Sequence, residues 1–391
     1  MSKVSDPIRV GVIGMGWMGE VHARSHAQTR ARFGEDAPDS RLVVCVDDVE
    51  ARAESSRSRF GFERSETDWR KVVDAADVDV VVVTTPNVTH REICEAAAAN
   101  GKHIFCEKPV GRGESETRAI HDAAAQAGVI SGVGYNYRQV PVVAHIRSMI
   151  AAGDLGDITH YRGRFHVGYG GNPDGALSWR FQRDLSGSGA LGDLMSHVID
   201  MSHSLIGPLR DLVSRSHTFI ASRPIVQPGE GTHFSTGGGG TRGSVTNEDY
   251  VSALVMFQNG ARGTFEACRV IKGPGCDMAF EVHGTAGAVK WSFERMNEYE
   301  LFVDSEDERG YRTVNAGPGH PHYASWYPGP ANSMGYEDLK VIEAFEFASQ
   351  VSRGEQGEPG FADALRVAEV ESAMERSWES GSTEAVVRSE S

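Results

Sequence analysis

The chain has 391 residues, of which 40% are hydrophobic and 24% charged, and its formal net charge is −15. This length favours two domains, and the composition is typical of globular proteins without an apolar run long enough to cross a membrane. The acidic balance argues against nonspecific binding to nucleic acid. The N-terminus lacks a signal-peptide pattern, and the five scattered cysteines suit reduced thiols, so we expect a cytoplasmic protein.

The chain begins with a strand-like run, IRVGVI at Ile8–Ile13, followed by three spaced glycines and a helical stretch. In a strand, G-x-G-x-x-G, helix unit, Gly14 permits the turn and Gly16 lets a pyrophosphate approach the backbone. Gly19 lets the helix pack on the strand, and the start of that helix offers N–H groups to phosphates. We therefore predict a dinucleotide-binding loop formed by Gly14, Met15, Gly16, Trp17, Met18 and Gly19.

A second β-rich run at 41–46 ends in Asp47. An acidic side chain at this position can bind a ribose diol and repels a 2′-phosphate, and no basic partner is expected beside it, so we predict NAD over NADP. Asp47 follows Gly19 by 28 residues, more than the usual gap of about 20, which indicates an inserted surface loop at 33–40. In the alternative interpretation Asp47 only begins a turn.

The alternation of strands and helices continues beyond Asp47. Strands are predicted at 78–84, 103–107 and 129–135, and helices at 90–100 and Glu114–Ala127. This pattern predicts an α/β Rossmann domain with a doubly wound parallel sheet over residues 1–134. Ligands of such sheets bind at the carboxyl ends of the strands, where the TTPN segment at 84–87 and the CEKP segment at 106–109 fall.

Residues 135–391 change pattern and predict an α+β domain. A helix at Pro141–Ala152 precedes strands at 158–167, 251–257, 261–267, 278–283 and 288–293, with a QNG hairpin turn at 258–260. Short turns predict a mostly antiparallel open sheet, which can cover a cleft or pair between subunits. Further helices are predicted at 189–205, 337–351 and 361–378, a mobile loop at 229–243 and a frayed tail after Gly381.

Two segments carry side chains suited to proton transfer. Lys108 follows a strand and can hydrogen-bond a substrate hydroxyl or carbonyl. Asp193 and His197 are four residues apart on one helix face, where Asp193 can orient the imidazole and His197 can accept a proton from an alcohol. In the alternative interpretations, Lys108 is an ordinary surface lysine, and Asp193 and His197 form a pair with a structural role. No third ligand is spaced to complete a metal site with Asp193 and His197, so no metal is predicted. Cys106 is interpreted as a residue that packs in the core.

In this order and spacing the motifs resemble the glucose–fructose oxidoreductase/inositol dehydrogenase family (Gfo/Idh/MocA) over nearly the whole chain. They are GMGWMG at 14–19, TTPN at 84–87 with His90, CEKP at 106–109, GYNYR at 134–138 and GSGALGDLMSHVID at 187–200. The resemblance implies an NAD-dependent oxidoreductase that acts on CH–OH groups. It also implies a homodimer or homotetramer formed through the C-terminal sheet.

The same resemblance implies roles for individual residues. Lys108 would be the catalytic lysine that bridges cofactor and substrate, with Asp193 and His197 completing the catalytic set and His197 acting as general base. Glu107 and Asn136 would hold the nicotinamide and its ribose. The other cofactor contacts would come from Thr85, Pro86, Asn87, His90, Trp179 and Arg180, and the substrate contacts from Lys108, Tyr137, Arg138, Asp193, His197 and His320.

Within the family the chain is most similar to enzymes that oxidise a sugar ring at C3, the levoglucosan dehydrogenases among them. The similarity is carried by LSWRFQ at 177–182, the insertion before Asp47 and GPGHP at 317–321. The expected substrate is a sugar, anhydrosugar, glycoside or inositol, with no nucleic-acid or membrane partner. Alternatives are an NAD-assisted glycosidase, an NADPH-dependent keto-sugar reductase and a non-catalytic nucleotide sensor, the last disfavoured by the intact catalytic set.

Overall fold

The computed structural model describes residues 6–226, 240–304 and 309–387. The chain forms two compact units. Unit 1 comprises the residues up to Gly111, Ser115–Gln139 and Met334–Leu365, and unit 2 comprises Arg112–Glu114, Val140–Ser333 and the residues from Arg366 on. We predicted one boundary near residue 134, but the segment 334–365 belongs to unit 1.

The helices predicted at 90–100, Glu114–Ala127, Pro141–Ala152, 337–351 and 361–378 agree with described helices to within two residues. The helix predicted at 189–205 is a regular α-helix only from Ser196, and the helices at Glu50–Phe60, Arg70–Val73 and Arg183–Ser186 were not predicted. In chain order the described helices are α1 (Trp17–Phe33), α2 (Glu50–Phe60), α3 (Arg70–Val73), α4 (His90–Ala99), α5 (Glu114–Ala127), α6 (Pro141–Ala152), α7 (Arg183–Ser186), α8 (Ser196–Leu205), α9 (Tyr336–Arg353) and α10 (Phe361–Ser380). No helix in these ranges combines the length and hydropathy that crossing a membrane requires.

Unit 1 contains the predicted parallel sheet. Its strands are β1 (Ile8–Ile13), β2 (Ser40–Val46), β3 (Arg64–Glu66), β4 (Val80–Val83), β5 (His103–Cys106) and β6 (Ser131–Val133). Among the described residues their order is β3-β2-β1-β4-β5-β6, and every neighbouring pair is parallel. The four valines of β4 are at most 1% exposed, as expected for a strand that is buried on both faces.

Aromatic packing explains why 334–365 belong to unit 1. Phe347 of α9 lies in the core cluster of the parallel sheet and meets Phe105 of β5 edge-on, with 5.3 Å between ring centroids. Phe345 of α9 stacks on Phe33 at 3.8 Å. The predicted surface insertion at 33–40 is therefore partly wrong: α1 extends to Phe33 because that residue packs on α9, and the turn Gly34–Asp36 leads into β2.

Unit 2 contains the predicted mostly antiparallel sheet, here named the mixed sheet. The strands are β7 (Ile158–Val167), β8 (Leu209–His217), β9 (Ser222–Pro224), β10 (Arg242–Ser244), β11 (Tyr250–Phe257), β12 (Arg262–Cys268), β13 (Cys276–Gly284), β14 (Gly287–Ser292), β15 (Glu298–Val303), β16 (Arg312–Asn315) and β17 (Glu384–Ala385). Within the described ranges the mixed sheet has the order β16-β15-β14-β13-β7-β12-β11-β8-β17, and β9 pairs with β10 separately. Only β7 and β12 are parallel neighbours in it.

Three local predictions in unit 2 can be compared with the structure. The QNG turn joins β11 and β12 as an antiparallel hairpin, with Gly260 at a φ of +94°. The tail is not frayed directly after Gly381, because Glu384 and Ala385 pair with β8. The predicted mobile loop at 229–243 lies outside the described residues as far as 239, and Arg242–Ser244 form β10.

Candidate active site

The carboxyl ends of β1, β4 and β5 lie side by side, because these strands are parallel neighbours. The glycine loop follows β1, the TTPN segment follows β4, and Glu107 and Lys108 follow β5. The hydroxyl of Thr84 donates to the carbonyl oxygen of Gly14 at 2.6 Å, which ties the first two loops together. The fold thus gathers three predicted segments at one edge of the parallel sheet.

In the glycine loop, glycine is sterically required at positions 14 and 19, whereas Gly16, between them, has free space around it. Gly14 has a φ of +96°, and a Cβ on Gly19 would clash with the carbonyl oxygen of Gly14. A Cβ on Gly16, in contrast, would meet no described atom within 4 Å. Gly16 is also the N-cap of α1, which no side chain caps. Open backbone at a helix N-terminus fits a pyrophosphate.

Asn136 follows β6 and is 3% exposed. Its Nδ2 is buried and has no hydrogen-bond partner in the described part of the chain. A buried donor without an acceptor is costly, so this amide fits an oxygen of a bound ligand. Together with the open backbone at Gly16 it fits the predicted NAD, which supplies a hydride acceptor when bound.

Asp47 follows β2 with a side chain that is only 4% exposed. Its Oδ2 accepts from the N–H of Met15 and its Oδ1 from the N–H of Val49, both at 3.0 Å. Arg52 of α2 donates to both oxygens, at 3.0 and 3.1 Å. No Arg or Lys is adjacent to Asp47 in the sequence, but the turn into α2 brings Arg52 back to the carboxylate. Asp47 also raises the pKa of Asp48.

The other residues of the glycine loop differ in exposure. Trp17 is 57% exposed and stacks on Tyr336 of α9, with 5.8 Å between ring centroids. The hydroxyl of Tyr336 donates to Sδ of Met18 at 3.8 Å. Met15 lies in the core of unit 1, so only its backbone takes part in the loop. Trp17 therefore presents the most accessible side chain beside Gly16.

His90 begins α4 and is 1% exposed. Its Nε2 lies 2.9 Å from the carbonyl oxygen of Thr85, and its Nδ1 lies 3.0 Å from that of Pro109. Burial lowers its pKa. Both ring nitrogens face backbone, so the ring ties the loop after β4 to the loop after β5. The expected position of His90 along the cofactor groove stays a prediction. Thr85 is half-buried, Pro86 exposed and Asn87 buried.

Glu107 belongs to a buried network that joins three segments of unit 1. Its Oε1 lies 2.8 Å from Nε2 of His22 and accepts from Nζ of Lys340 at 2.7 Å. Lys340 also donates to Oε2 of Glu343 at 2.8 Å. Oε2 of Glu107 accepts from the backbone N–H of Lys108 at 3.3 Å. Glu107 thus contacts the backbone of Lys108, and its predicted contact with the nicotinamide stays a prediction.

The network has an unusual protonation pattern. Burial would raise the pKa of Glu107, but Lys340 and His22 outweigh burial and hold that pKa well below its usual value. Burial would lower the pKa of Lys340, but the two carboxylates raise it. Burial lowers the pKa of His22 and raises the pKa of Glu343 to about 7. His22, Glu107 and Glu343 have the spacing of a metal site, yet the Lys340 ammonium already supplies a cation between both carboxylates.

In unit 2, Asp193 lies in a π-helical turn, Leu191–Met195, that continues into α8. The sequence predicted an uninterrupted α-helix, whereas π turns are rare and frequently mark functional sites. The half-buried Asp193 accepts from the hydroxyl of Tyr169 at 2.5 Å. Burial, reinforced by the Asp193 charge, raises the pKa of Tyr169, so this hydroxyl remains a donor. His197 is 5% exposed and packs against Phe165.

Trp179 and Arg180 are held in unit 2 by their own contacts. The Arg180 guanidinium lies over the Trp179 ring at 4.3 Å. The carbonyl oxygen of Arg180 accepts from Nδ2 of Asn247 at 2.9 Å and from Nη1 of Arg269 at 3.0 Å. Nδ2 of Asn247 also donates to the carbonyl oxygen of Ser188 at 3.0 Å. The pair is thereby connected to the loop that leads to Asp193.

The remaining predicted substrate residues are engaged within their own units. In unit 1, Tyr137 is 5% exposed, and the buried guanidinium of Arg138 donates to Asp363 at 3.2 Å. Arg138 therefore has an ion pair in unit 1, and its predicted contact with the substrate stays a prediction. In unit 2, Nδ1 of His320 accepts from the backbone N–H three residues earlier at 2.9 Å, and its ring meets His145 edge-on. Burial, with a smaller contribution from His145, lowers the pKa of His320.

Sequence analysis missed two groups of residues. Lys340 and Glu343 stand three residues apart within the apolar run LKVIEAF, and a charged pair among core residues was a usable signal. Asn247, Glu248 and Asp249 form the second group. They precede a strand, and nothing in their local pattern distinguishes them from an ordinary polar turn.

Two family models cover most of the chain. Residues 8–135 match the NAD-binding Rossmann fold of an oxidoreductase family, and residues 143–290 match the GFO/IDH/MocA C-terminal domain. Levoglucosan dehydrogenase of Pseudarthrobacter phenanthrenivorans is 40% identical over 95% of this chain and 97% of its own length. The NAD⁺-dependent scyllo-inositol 2-dehydrogenase of Bacillus subtilis is 29% identical over 72% of this chain and 73% of its own.

Solved structures agree with these relationships. A levoglucosan dehydrogenase in complex with NADH and levoglucosan matches with a TM-score of 0.92 at 36% identity, covering 98% of this chain and all of that one. An apo form matches with a TM-score of 0.94 at 37% identity, over 99% of this chain and all of that one. The Rossmann sheet, the mixed sheet and the full-length identity agree: the chain belongs to the Gfo/Idh/MocA family and is an NAD-binding oxidoreductase.

Proposed function

We propose that this enzyme oxidises a secondary hydroxyl, at C3 of the ring, of a sugar, anhydrosugar, glycoside or inositol, with hydride transfer to NAD⁺. The observation that carries the proposal is the similarity to levoglucosan dehydrogenase along nearly the full length of both chains. The inositol dehydrogenase relative supports the broader substrate class of cyclic polyols. An anhydrosugar is therefore the first substrate to test.

In this proposal three side chains of the enzyme act on the alcohol. His197 accepts the hydroxyl proton, since imidazole titrates near neutral pH. Asp193 orients the imidazole or a neighbouring hydroxyl, and the Tyr169 hydrogen bond at 2.5 Å holds its carboxylate in one direction. Lys108 donates a hydrogen bond to the substrate oxygen and stabilises the charge that develops on it. The anchoring of its backbone by Glu107 supports this role.

We also propose a homodimer or homotetramer joined through the exposed face of the mixed sheet. This face carries Leu254 at 62% exposure and a depression of about 650 Å³ whose lining includes Arg162, Arg164, Glu266 and Glu281. Charges of both signs on one surface suit a contact in which two copies present the same patch to each other. Light scattering on the purified enzyme tests this proposal, and a monomer at working concentration contradicts it.

A cytoplasmic location is proposed from the cysteines. Cys45, Cys94 and Cys106 are buried thiols, and a reducing compartment keeps such thiols intact. Burial raises the pKa of Cys45 to about 12 and that of Cys106 well above its usual value. These thiols therefore serve packing, which agrees with the interpretation of Cys106 as a core residue.

The test of the proposed function is absorbance in the NADH band, with NAD⁺ or NADP⁺, against levoglucosan, free sugars, glycosides and inositols. NADH formed from one of these compounds supports the dehydrogenase and names its substrate. Release of an aglycone without net NADH supports the NAD-assisted glycosidase instead. No turnover with any of them contradicts the proposed substrate class, because the panel covers each member of it.

A further inference from the structure

We infer that Glu248 is a positioning residue that sets where the helical segment carrying Asp193 and His197 begins. The inference rests on the proposed catalytic roles of these two residues, but its structural part does not depend on the substrate. Glu248 lies between β10 and β11, is 6% exposed, and belongs to the group 247–249 that directly precedes β11. Nothing in the sequence pattern links it to Asp193.

Glu248 binds three consecutive backbone N–H groups at the start of the catalytic segment. Its Oε1 accepts from Gly189 at 2.7 Å and from Leu191 at 2.9 Å. Its backbone carbonyl oxygen accepts from Ala190 at 2.9 Å. Leu191 is the first residue of the π turn. A carboxylate at a helix N-terminus is favourable because the first N–H groups lack partners within the helix and the helix dipole is positive there.

The fit between Glu248 and this loop leaves no room for a side chain. A Cβ on Gly189 would clash with the carbonyl oxygen of Glu248, so the close approach requires glycine at this position. The next cap is supplied from the loop itself, because Oγ of Ser188 accepts from the N–H of Gly192 at 2.9 Å. Every N–H from Gly189 to Gly192 therefore has an acceptor, and Glu248 accepts from three of these four N–H groups.

The neighbours of Glu248 hold it in place from both sides. Asn247 donates through Nδ2 to the Ser186 hydroxyl at 2.8 Å and accepts through Oδ1 from Arg269 at 2.7 Å. Asp249 accepts from Nε of Arg269 at 2.8 Å, and both side chains of this pair are fully buried. A buried ion pair keeps its geometry because separating it would leave an unpaired charge. Glu248 is thus a fixed acceptor and not a mobile surface carboxylate.

The start of the helix determines the direction of Asp193. Asp193 lies in the first turn of the segment, directly after the N–H groups that Glu248 binds. Loss of these contacts leaves the first N–H groups without acceptors, so the turn can unwind and Asp193 can move away from Tyr169. The 2.5 Å bond between these side chains tolerates only a small displacement. Misplacement of a reacting group by about 1 Å can reduce turnover about 100-fold. Glu248 therefore acts on catalysis through Asp193, without contacting the substrate itself.

The experiment compares three variants of Glu248 with a matched control. Glu248→Ala removes the acceptor, Glu248→Asp keeps the charge but shortens its reach, and Glu248→Gln keeps an acceptor oxygen without charge. The control is Glu294→Ala, because Oε1 of the exposed Glu294 also accepts from two backbone N–H groups, those of Gly275 and Cys276. Both glutamates cap backbone in unit 2, but only Glu248 caps the segment that carries Asp193.

Turnover is measured with NAD⁺ and levoglucosan, NADH binding by fluorescence titration, and the Tyr169–Asp193 distance by crystallography. Glu248→Ala and Glu248→Asp are expected to lower kcat about 10–100-fold while the Kd for NADH stays within about twofold. Their crystal structures are expected to have lost the Tyr169–Asp193 bond. Glu248→Gln is expected to restore most of kcat, and Glu294→Ala to leave kcat unchanged.

Two results would overturn the inference. One is a Tyr169–Asp193 bond that persists in Glu248→Ala. The other is a loss of kcat that is not specific to Glu248. Such a loss would either appear in Glu294→Ala as well or parallel the decrease in Tm across all four variants. If Glu248→Ala does not fold, Glu248→Asp and Glu248→Gln decide between the outcomes. If the parent enzyme oxidises neither levoglucosan nor the sugars, glycosides and inositols, that result counts against the proposed function, and the crystallographic comparison still decides the role of Glu248.

Discussion

Replacing Lys340 by Met is the most direct test of how unit 1 is held together. Lys340 is 1% exposed and donates to Glu107 at 2.7 Å and to Glu343 at 2.8 Å. Methionine has a similar length and no charge, so Lys340→Met preserves the volume and removes both contacts. Within the described part of the chain, Glu107 then remains buried with His22 and the Lys108 N–H as its partners.

The expected loss of stability follows from these two contacts. Hydrogen bonds between charged groups contribute about 1.5–3 kcal/mol each, and removing one partner of a buried ion pair costs about 3–5 kcal/mol. Glu343, with a pKa of about 7, can take up a proton when Lys340 is absent, so the penalty arises mainly at Glu107. We therefore expect a loss of about 3–5 kcal/mol. In a domain of this size that lowers Tm by roughly 6–20 °C.

Thermal unfolding followed by circular dichroism measures this effect. Lys71→Met is the matched control, because Lys71 donates to Glu66 at the same 2.7 Å on the surface, where an ion pair contributes little. The double variant Lys340→Met/Glu107→Gln also removes the unpaired, buried charge of Glu107, so we expect it to regain much of the stability that Lys340→Met loses. The reasoning would be refuted if Lys340→Met unfolded at the same temperature as Lys71→Met. It would also be refuted if the double variant were no more stable than Lys340→Met.

Three further predictions concern cofactor, catalysis and pH. Asp47→Ala should lower the ratio of the Kd for NADPH to the Kd for NADH by roughly 3–10-fold. Arg52→Ala should raise the same ratio by a similar factor. Fluorescence titration measures both constants, and unchanged ratios would make the Asp47–Arg52 pair irrelevant to selectivity. Lys108→Ala should reduce kcat by roughly 100–10,000-fold while NADH binding is retained. Turnover close to that of the parent enzyme would show that Lys108 has no catalytic role. The raised pKa of Glu343, about 7 in the folded chain against an ordinary 4.5, means that the folded chain keeps a proton that the unfolded chain releases. This group therefore lowers stability as pH rises through that window. Glu343→Gln should remove this contribution, and a slope of Tm against pH equal to that of the parent would contradict it.

Most of the N-terminal architecture could be predicted from the sequence, for a physical reason. The valine run of β4 and the glycine spacing after β1 are local patterns, and strand burial and the turn after a strand depend mainly on local residues. The same holds for the QNG hairpin of unit 2. Position and spacing made Lys108, Asp193 and His197 candidates and the family motifs favoured their catalytic roles, but neither says which atoms meet.

Only the tertiary structure decided which partners the charged groups have. Lys340 reaches Glu107 across 233 positions of sequence, and Glu248 reaches Gly189 across 59. Neither separation follows a helical or strand period, so no periodicity could reveal these pairs. A buried charge is tolerated only where the fold supplies an opposite charge or backbone donors. The sequence by itself therefore determined most of the elements and the candidate residues, whereas packing decided which groups Glu107, His90 and Arg138 contact.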